Sequence, residues 1–597
     1  MSQKLKLFFL LLIISISGYA SHLRTGEISY APVPGQTRTY DITVTLYLNN
    51  SVNSDQVWIY LFFGDNTPIV QVNRSNGSGQ NLPGLSTNKS IYTVRHTFPS
   101  DGKYIIYTAL DIRNYGRNTG IVNIPNSLDY RMYLSALLTI DSSFPPISSP
   151  FLSFPPIDNG CINKTYKINP GAIDLNQNLL RFQLLRCQTA KDLNNPVGID
   201  IPGYKYPNEL DPSGRTLFTM DSLTGIITWD KPTMIGEYNI AFKIKKYRNG
   251  VMIGYVIRDM QVTIAPCPNN PPVIDRVPDI CILAGTPLTY KITSKDPDND
   301  TLTFTSTGGP YDVAINKATY TPQGTTIGST TGVFNWNTIP IHFTKNPYQV
   351  YYKVTDKHFG FSLSDVTSNF ITLVAPPVNN VNATAIQNGF NVKWDQTVCT
   401  QATGYNIYRK IGSSNIIFNS CTLGVPANSG FALIGTINNQ ATLVYTDLNN
   451  GTGLDPGYNY CYIVTAKFAD GAESAPSESY CATIINGVIK KGLEMPNAFE
   501  PENTNSELNS FRPKAIGLQT YFLGVWDLWG NLIWSSEKLL NTQPAEGWNG
   551  TDRKGIKLPS QQYIWRMKVT FIDGTVWEGI KDSFGKFHKE GTLFLLR

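Results

Sequence analysis

The sequence is poor in charge and in the residue patterns that most enzymes use for catalysis. Charged residues make up 16% of the 597 residues, and the 49 basic and 44 acidic ones form no long run of one sign. A nucleic-acid-binding surface needs a stripe of Lys and Arg, so the sequence argues against this class. No Gly-x-Ser-x-Gly elbow, His-Glu-x-x-His pair or phosphate-binding glycine loop occurs. The five histidines are scattered over different segments: His22, His96, His342, His358 and His588.

Long apolar runs are also missing after the first twenty residues. Lys4 and Lys6 precede an apolar run from Leu7 to Ile14, and the small residues Gly18 and Ala20 follow. This order is typical of an export signal, and the run is too short to span a bilayer. We therefore predict that residues 1–20 are a signal peptide, that the mature chain is secreted, and that it has no transmembrane segment.

Cys-x-x-Cys pairs, the usual sign of a zinc site, do not occur among the eight cysteines. In an exported chain disulfides are then the default. From proximity along the sequence we predict the bridges Cys399–Cys421 and Cys461–Cys481. The pairing of the other four stays open: Cys161, Cys187, Cys267 and Cys281.

Turn-forming and strand-forming residues, by contrast, are abundant. The chain contains 48 Gly, 38 Pro and 32 Tyr, and segments such as Tyr40 to Tyr47 alternate in strand fashion. The length allows about four to six domains. We predict an all-β protein made of tandem immunoglobulin-like β-sandwich domains.

The segment 21–141 has a recognisable set of motifs. Leu61-Phe-Phe-Gly-Asp65 is followed by His96-Thr-Phe98 and by Gly102-Lys-Tyr104. This order resembles the polycystic-kidney-disease (PKD) domain, and the resemblance implies an immunoglobulin-like sandwich.

The segments 142–267 and 268–375 are a diverged internal repeat. The stretch from Asp174 to Phe182 matches Asp296 to Phe304, and Asp221 to Trp229 matches Gly328 to Trp336. Gly236-Glu-Tyr238 and Lys243-Ile244 then match Asn346-Pro-Tyr348 and Lys353-Val354. Both units resemble cadherin-like immunoglobulin-fold modules, with the connector Pro266 to Pro272 between them.

The segment 376–486 resembles a fibronectin type III domain. Trp394 ends its second predicted strand, Gly404 to Tyr408 forms the third, and Leu454-Asp-Pro-Gly457 leads into Tyr460. The resemblance places Tyr460 at the tyrosine corner, where its hydroxyl would bond back to the connecting loop.

The segment 487–597 carries five motifs in order, from Met495-Pro-Asn-Ala-Phe499 to the final Gly591-Thr-x-Phe-Leu-Leu-Arg597. They resemble the gliding-motility-associated C-terminal domain, also called the type B sorting domain of the type IX secretion system. The matching positions are Pro496, Asn497, Phe499, Pro501, Trp529, Gly530, Gly547, Trp548, Gly550, Tyr563, Gly591 and Arg597.

This resemblance implies a C-terminal β-sandwich sorting domain that the type IX secretion translocon recognises as its partner. It implies a location on the extracellular face of the outer membrane. The chain departs from the family pattern at Leu528, Asn549 and Gln561, and at the loop Glu502 to Leu508, which replaces the family's frequent Asn-Gly-Asp-Gly-x-Asn-Asp sequence.

One acidic motif indicates a cofactor. Asp296, Asp298 and Asp300 alternate along the sequence and can present oxygens to a hard cation such as calcium, and Asp356 is the natural further ligand. A solvated acidic turn is the alternative interpretation. The matching turn of the first repeat keeps only Asp174, because Asn176 and Asn178 are poorer ligands, so we expect no calcium there.

Three functional hypotheses follow. The first is a cell-surface adhesion or gliding-associated protein, because tandem modules of one class leave no catalytic-sized domain unassigned. The second is a carbohydrate-binding or scaffold component of a polysaccharide-degrading system. The third is a hydrolase of unfamiliar type, since glycoside hydrolysis needs only two carboxylates. We predict a protein that is not an enzyme and whose ligand the sequence leaves unknown.

Overall fold

A computed structural model describes residues 23–50, 55–82, 86–112, 120–191, 197–359, 361–414, 416–484, 491–505, 507–540 and 542–597. The predicted signal peptide lies outside these ranges. The chain divides into two compact units. The first unit contains residues up to 280 together with 286–338 and 346–372, and the second contains 281–285, 339–345 and 373–597.

The fold is all-β, as the sequence predicts. In the described ranges the helical elements are short 3-10 turns, namely Ser127–Asp129, Pro207–Leu210, Gly309–Tyr311, Pro340–His342, Ala427–Ser429 and Asn449–Gly451. No helix among the described residues is long and apolar enough to cross a bilayer.

The first segment contributes eight strands to the first unit. They are β1 Leu23–Pro32, β2 Thr39–Asn49, β3 Trp58–Leu61, β4 Val70–Asn73, β5 Gln80–Leu82, β6 Thr87–Thr97, β7 Gly102–Ile112 and β8 Arg131–Ile140. Strand β2 is buried along almost its whole length because it lies inside a sheet, between β1 and β6. In the PKD-like motif, the Asp65 carboxylate lies 2.6 Å from Nε2 of His96.

The second segment adds eleven strands. They are β9 Phe151–Leu152, β10 Ile157–Cys161, β11 Tyr166–Ile168, β12 Ala172–Ile173, β13 Leu179–Leu185, β14 Gln188–Ala190, β15 Gly198–Asp200, β16 Phe218–Met220, β17 Ile227–Trp229, β18 Gly236–Arg248 and β19 Val251–Ala265.

The structure joins the first two segments through one large sheet, which the sequence did not predict. Strand β19 of the second segment pairs with β1 and β8 of the first, as well as with its own β18 and β10. At the β1–β19 pairing, the buried Arg258 forms an ion pair with Glu27 at 2.5 Å. A single hydrophobic core contains residues of both segments.

The third segment is a two-sheet sandwich. Its strands are β20 Val273–Ile274, β21 Ile280–Leu283, β22 Pro287–Lys295, β23 Thr301–Gly308, β24 Thr319–Thr326, β25 Ser329–Asn337, β26 Tyr348–Lys357 and β27 Ser364–Val374. One sheet has the order β20-β22-β25-β24, and the other contains β23, β26 and β27.

The internal repeat is visible in the packing of the second and third segments. The buried Trp229 lies edge-on to Tyr238, with ring centroids 4.8 Å apart and planes at 79°. The matching Trp336 lies edge-on to Tyr348 at 5.0 Å and 80°. Both aromatic pairs therefore fill equivalent places in their cores, as the aligned sequence motifs indicate.

The fibronectin-like segment lies in the second unit. Its strands are β28 Asn382–Ile386, β29 Gly389–Lys393, β30 Ala402–Ile411, β31 Ala432–Ile437, β32 Val444–Asp447, β33 Asn459–Phe468 and β34 Tyr480–Thr483. They form a three-stranded sheet, β28-β29-β32, and a four-stranded sheet, β31-β30-β33-β34. This is the three-plus-four division of a seven-stranded immunoglobulin-like sandwich.

The C-terminal segment of the second unit is built on one main sheet. Its strands are β35 Gly492–Glu494, β36 Ala498–Phe499, β37 Lys514–Ile516, β38 Leu518–Trp526, β39 Leu532–Ser536, β40 Leu539–Leu540, β41 Gln543–Pro544, β42 Gln562–Phe571, β43 Ile580–Lys581, β44 Phe587–His588 and β45 Glu590–Leu595. The main sheet has the order β36-β45-β42-β38-β39, and the remaining strands form two-stranded ribbons.

The disulfides differ in part from the predicted bridges. Cys461 is bonded to Cys481, the pair expected from proximity. Cys421 is bonded to Cys281 and not to Cys399, so the predicted Cys399–Cys421 bridge is wrong. Cys399 is a buried thiol, and burial raises its pKa to about 11. Proximity failed because the fold brings two cysteines 140 residues apart in the sequence into bonding distance.

Among the four cysteines whose pairing the sequence left open, Cys161 is bonded to Cys267. It ties the end of β10 to the connector that follows β19. Cys187 is buried beside Ile201 and Tyr204 and hydrogen-bonds to the Tyr204 side chain.

Candidate functional site

Three predicted ligands of the third segment meet in one acidic cluster. One carboxylate oxygen each of Asp296, Asp300 and Asp356 lies within 4.8 Å of the others. Asp296 and Asp300 belong to the turn between β22 and β23, whereas Asp356 lies near the end of β26, opposite Leu302 of β23. The sheet therefore brings Asp356 to the turn across more than fifty residues of sequence.

Asp296 organises the turn. Its Oδ1 accepts hydrogen bonds from the backbone N–H groups of Asp298 and Asp300 at 2.9 and 3.0 Å. Its Oδ2 is buried and has no hydrogen-bond partner among the described residues. A buried carboxylate oxygen without a partner costs free energy, and a bound cation would remove that cost.

A connector residue contacts the cluster. Asn269 is fully buried, and its Nδ2 donates to Oδ2 of Asp356 at 2.8 Å and to the carbonyl of Phe361 at 3.0 Å. Its Oδ1, like Oδ2 of Asp296, is buried without a hydrogen-bond partner. Amide and carboxylate oxygens together are the ligand set that calcium prefers.

Asp298 contacts the connector. Its two carboxylate oxygens accept hydrogen bonds from the backbone N and from Nδ2 of Asn270, at 2.5 and 2.8 Å. It therefore holds the connector and lies outside the cluster that Asp296, Asp300 and Asp356 form. The alternation of Asp along the turn predicted three equivalent ligands, but successive side chains point in different directions.

The three carboxylates of the cluster lie close enough to repel one another. Burial, with a smaller contribution from the Asp296 and Asp300 charges, raises the pKa of Asp356 to about 6. Nδ1 of His358 lies 2.7 Å from Oδ2 of Asp300, and this hydrogen bond raises the histidine pKa. Within the described ranges no Lys or Arg forms an ion pair with Asp296 or Asp356.

The sorting-like motifs of the C-terminal segment meet in one core. Trp548 is fully buried, with its ring centroid 5.3 Å from that of Phe499 and 5.0 Å from that of Tyr563. Its Nε1 donates to the carbonyl of Thr551 at 2.7 Å, and the Tyr563 hydroxyl donates to the carbonyl of Pro559 at 3.0 Å. These motif residues are therefore packing residues in the structure.

Arg597 joins the last strand to the same region. Its guanidinium donates to the carbonyls of Leu558 and Gly550, both at 2.9 Å. Gly550 has a φ of +78°, and a Cβ there would come within 3.1 Å of Leu595, Arg597 and Pro501. A larger residue at position 550 would therefore disturb both the turn and the arginine.

The remaining motif residues lie at the edges of this core. The backbone N of Phe594 donates to the carbonyl of Asn497, the residue after the half-buried Pro496, at 2.8 Å. Gly547 precedes Trp548. Gly591 lies against Trp565, where a Cβ would come within 2.7 Å of the indole.

Trp529 and Gly530 occupy the tip of the β38–β39 hairpin. The Asp527 carboxylate accepts the backbone N–H groups of Trp529 and Asn531, which fixes the turn. The Trp529 side chain is 80% exposed, and Leu528 beside it is 54% exposed. Among the motif residues, Trp529 is thus displayed to solvent and does not pack.

Tyr460 makes the bond of a tyrosine corner. Its side chain is buried, and its hydroxyl donates to the carbonyl of Asp455 at 2.9 Å. The bond holds the loop before β33, as the resemblance implies.

Sequence reasoning missed three polar residues at the acidic cluster. Asn269 and Asn270 lie in the connector, for which the sequence predicts only a boundary, and His358 is one of the five scattered histidines, which belongs to no predicted site. The signal available was an Asn-Asn pair between two Pro-containing stretches, Pro266 to Pro268 and Pro271-Pro272. An Asn-Asn pair predicts a contact with the cluster only when the carboxylates that it meets are already known.

Comparison with known proteins gives the following. No family model and no curated protein matches the chain. Solved structures that align include cadherin-like domains 1 to 4 of zebrafish RET, at 10% identity over 72% of this chain and 93% of that one, with a TM-score of 0.16. The D1–D4 ectodomain fragment of ICAM-5 aligns at 10% identity over 77% and 99%, with a TM-score of 0.19. These TM-scores are too low to support an argument from structural similarity. The all-β assignment therefore rests on the strands described above.

Proposed function

We propose that the chain is a secreted adhesion or gliding-associated protein of the cell surface, whose tandem sandwich modules form a stalk and contact surface braced by structural calcium. The buried acidic cluster carries this proposal. Three carboxylates and an amide oxygen, two of these groups having buried oxygens without partners, make up a ligand set for a hard cation. The alternative of a solvated acidic turn fits poorly, because Asp296 and Asp356 are 5% and 2% exposed.

The proposed ion would link the connector to the third module. Asn269 and Asn270 contact Asp356 and Asp298, respectively, so the connector already lies against the ligand-bearing turn. A bound ion would neutralise the carboxylates and hold the connector in place. Such bracing suits a stalk that must stay extended outside the cell, where calcium is plentiful.

Calcium binding is expected to be lost in Asp356→Asn. The wild-type chain should bind one terbium or calcium ion per molecule, and the substitution should weaken binding at least about 100-fold because it removes a buried charged ligand. The measurement is a terbium luminescence titration with calcium competition. At calcium 100-fold above Kd, the ion should stabilise the wild-type module by about 2.7 kcal/mol.

The matched control is Asp312→Asn, which removes the same charge from an exposed position of the same module. It should leave affinity and stoichiometry unchanged. Equal weakening by both substitutions would indicate a general charge effect and contradict the site.

We propose further that residues 487–597 direct export through the type IX secretion translocon to the extracellular face of the outer membrane. The support is the ordered motif set and its convergence on one core around Trp548. Deletion of residues 487–597 should abolish surface display and leave the protein in the periplasm. Protease accessibility on intact cells measures this, and normal display of the truncated chain would contradict the export role.

A second candidate function is glycan binding in a polysaccharide-degrading system. Trp58 and Tyr60 of β3 are 41% and 46% exposed on one face, with ring centroids 4.9 Å apart. Their cross-strand neighbours are Asn73 and Gln71, which supply amide groups for sugar hydroxyls. Retention of the purified chain on an insoluble polysaccharide, without binding to whole cells, would favour this function over adhesion.

A further inference from the structure

The turn that opens the acidic cluster occurs a second time, in the segment 142–267. The carboxylate of Asp174 accepts the backbone N–H groups two and four residues later, at 3.4 and 2.6 Å, as that of Asp296 does. The third residue after each aspartate has a left-handed φ, +57° for Gln177 and +62° for Asn299. The two turns therefore have the same backbone conformation.

Strand register shows which residue replaces Asp356. In the third segment Asp356 pairs with Leu302, six residues after Asp296. In the second segment the residue six positions after Asp174 is Leu180, and it pairs with Lys246. Lys246 therefore stands at the position of Asp356, and its side chain is fully buried.

The Lys246 ammonium lies among oxygen atoms. Its Nζ is 2.6 Å from Oδ1 of Asp174 and donates to the carbonyl of Ser148 at 2.7 Å and to Oδ1 of Asn176 at 3.0 Å. An ammonium group has three donors, and here three acceptors receive them. The group thus occupies a complete oxygen cage in the interior.

Because Lys246 stands where the third segment has Asp356, the two turns differ in their balance of charge. The second segment has one carboxylate, Asp174, and one ammonium, which compensate each other. The third segment has three carboxylates and no lysine at that place, and His358 hydrogen-bonds to Asp300. A buried charge needs a partner of opposite sign. Lys246 is that partner for Asp174, whereas Asp296 and Asp356 form no ion pair among the described residues and would need an external cation.

Each cage also holds the connector that precedes its module. The backbone N of Ser148 donates to Oδ1 of Asn176 at 3.0 Å, as the backbone N of Asn270 donates to Oδ2 of Asp298 at 2.5 Å. The residue before Ser148 is the buried Ile147, which offers no ligand where the other connector has Asn269.

We propose that the Lys246 ammonium takes the place of a metal ion in the second segment. The connector at Ser148 is then fixed at any calcium concentration, whereas the connector at Asn269 and Asn270 depends on calcium. Withdrawal of calcium would loosen only the second of these joints. The contrast between the joints rests on the proposed calcium site, but the role of Lys246 rests on its own contacts.

The first test is hydrogen–deuterium exchange on the purified full chain, with calcium and with EGTA. EGTA should speed exchange near residues 266–272 and leave residues 146–152 unchanged. Lys246→Met should speed exchange at residues 146–152 and in β13 at least about 10-fold, with or without calcium, because it leaves the buried Asp174 carboxylate without its counter-charge. The control Lys245→Met, which alters a partly exposed neighbour, should change neither region. Unchanged exchange in Lys246→Met would overturn the proposal.

The second test replaces the lysine site of the second segment with carboxylates like those of the third segment. Lys246→Asp combined with Asn178→Asp gives the second segment carboxylates at the positions of Asp356 and Asp300. This double variant should bind two terbium ions per chain, against one for the wild type and one for Asn178→Asp alone. A folded double variant that binds no additional ion would overturn the proposal. If the wild type binds no ion, the calcium site of the proposed function is wrong. The role of the lysine is then still decided by the hydrogen–deuterium exchange rates of the Lys246→Met variant.

Discussion

Replacement of both Cys161 and Cys267 by alanine is expected to lower the free energy of unfolding of the joined first and second segments by about 4–5 kcal/mol. The bond closes a loop of 106 residues, and the unfolded chain gains the corresponding conformational entropy when the bond is removed. Cys161 is buried at the end of β10, and Cys267 opens the connector. Urea unfolding followed by hydrogen–deuterium exchange of β11 and β17 measures the loss.

The comparison variant removes the short bridge. Cys461→Ala with Cys481→Ala opens a loop of 20 residues and should cost the fibronectin-like segment roughly 3 kcal/mol. A loss at Cys161 and Cys267 smaller than at this pair would contradict the loop-length argument and indicate strain or residual structure in the unfolded chain.

Trp548→Ala is expected to destabilise the C-terminal segment by about 3–5 kcal/mol, because it removes a fully buried indole from this core. The substitution removes the packing against Phe499 and Tyr563 and the hydrogen bond to Thr551. Thermal unfolding and protease resistance of the purified chain measure the loss. Under the proposed export function, the unfolded segment should also fail to bring the chain to the surface.

Trp529→Ala is the matched control, since it removes the same side chain from an exposed position. It should change the free energy of unfolding by no more than about 0.5 kcal/mol. If this folded variant loses surface display, the hairpin tip is a contact for the export machinery. Full display would show that the motif acts through its fold. Strong destabilisation by Trp529→Ala would contradict the exposure seen here.

Much of the fold could be predicted because it depends on local pattern. Alternating apolar residues and abundant turn formers indicated short strands, and the aligned Trp229 and Trp336 do fill equivalent core positions. Asp296 and Asp300 lie in one turn, whereas Asp356 reaches them only because β23 pairs with β26.

The rest depended on contacts between distant segments. Strands β1 and β19 pair through backbone hydrogen bonds, which do not depend on the type of side chain. No side-chain pattern therefore predicted that the first two segments share a sheet. The bond between Cys281 and Cys421 was hidden for a related reason, because sequence distance says little about spatial distance once sheets form.

The sequence by itself determined the all-β class, the repeat and the acidic turn, because side-chain periodicity and turn chemistry are local properties. Only the tertiary structure decided that Asp298 contacts the connector, that Asn269 contacts Asp356 and that Lys246 lies at the equivalent position of the second segment. These assignments depend on which side chains meet after strands pair, and strand register places Lys246 and Asp356 at one equivalent position with opposite charge.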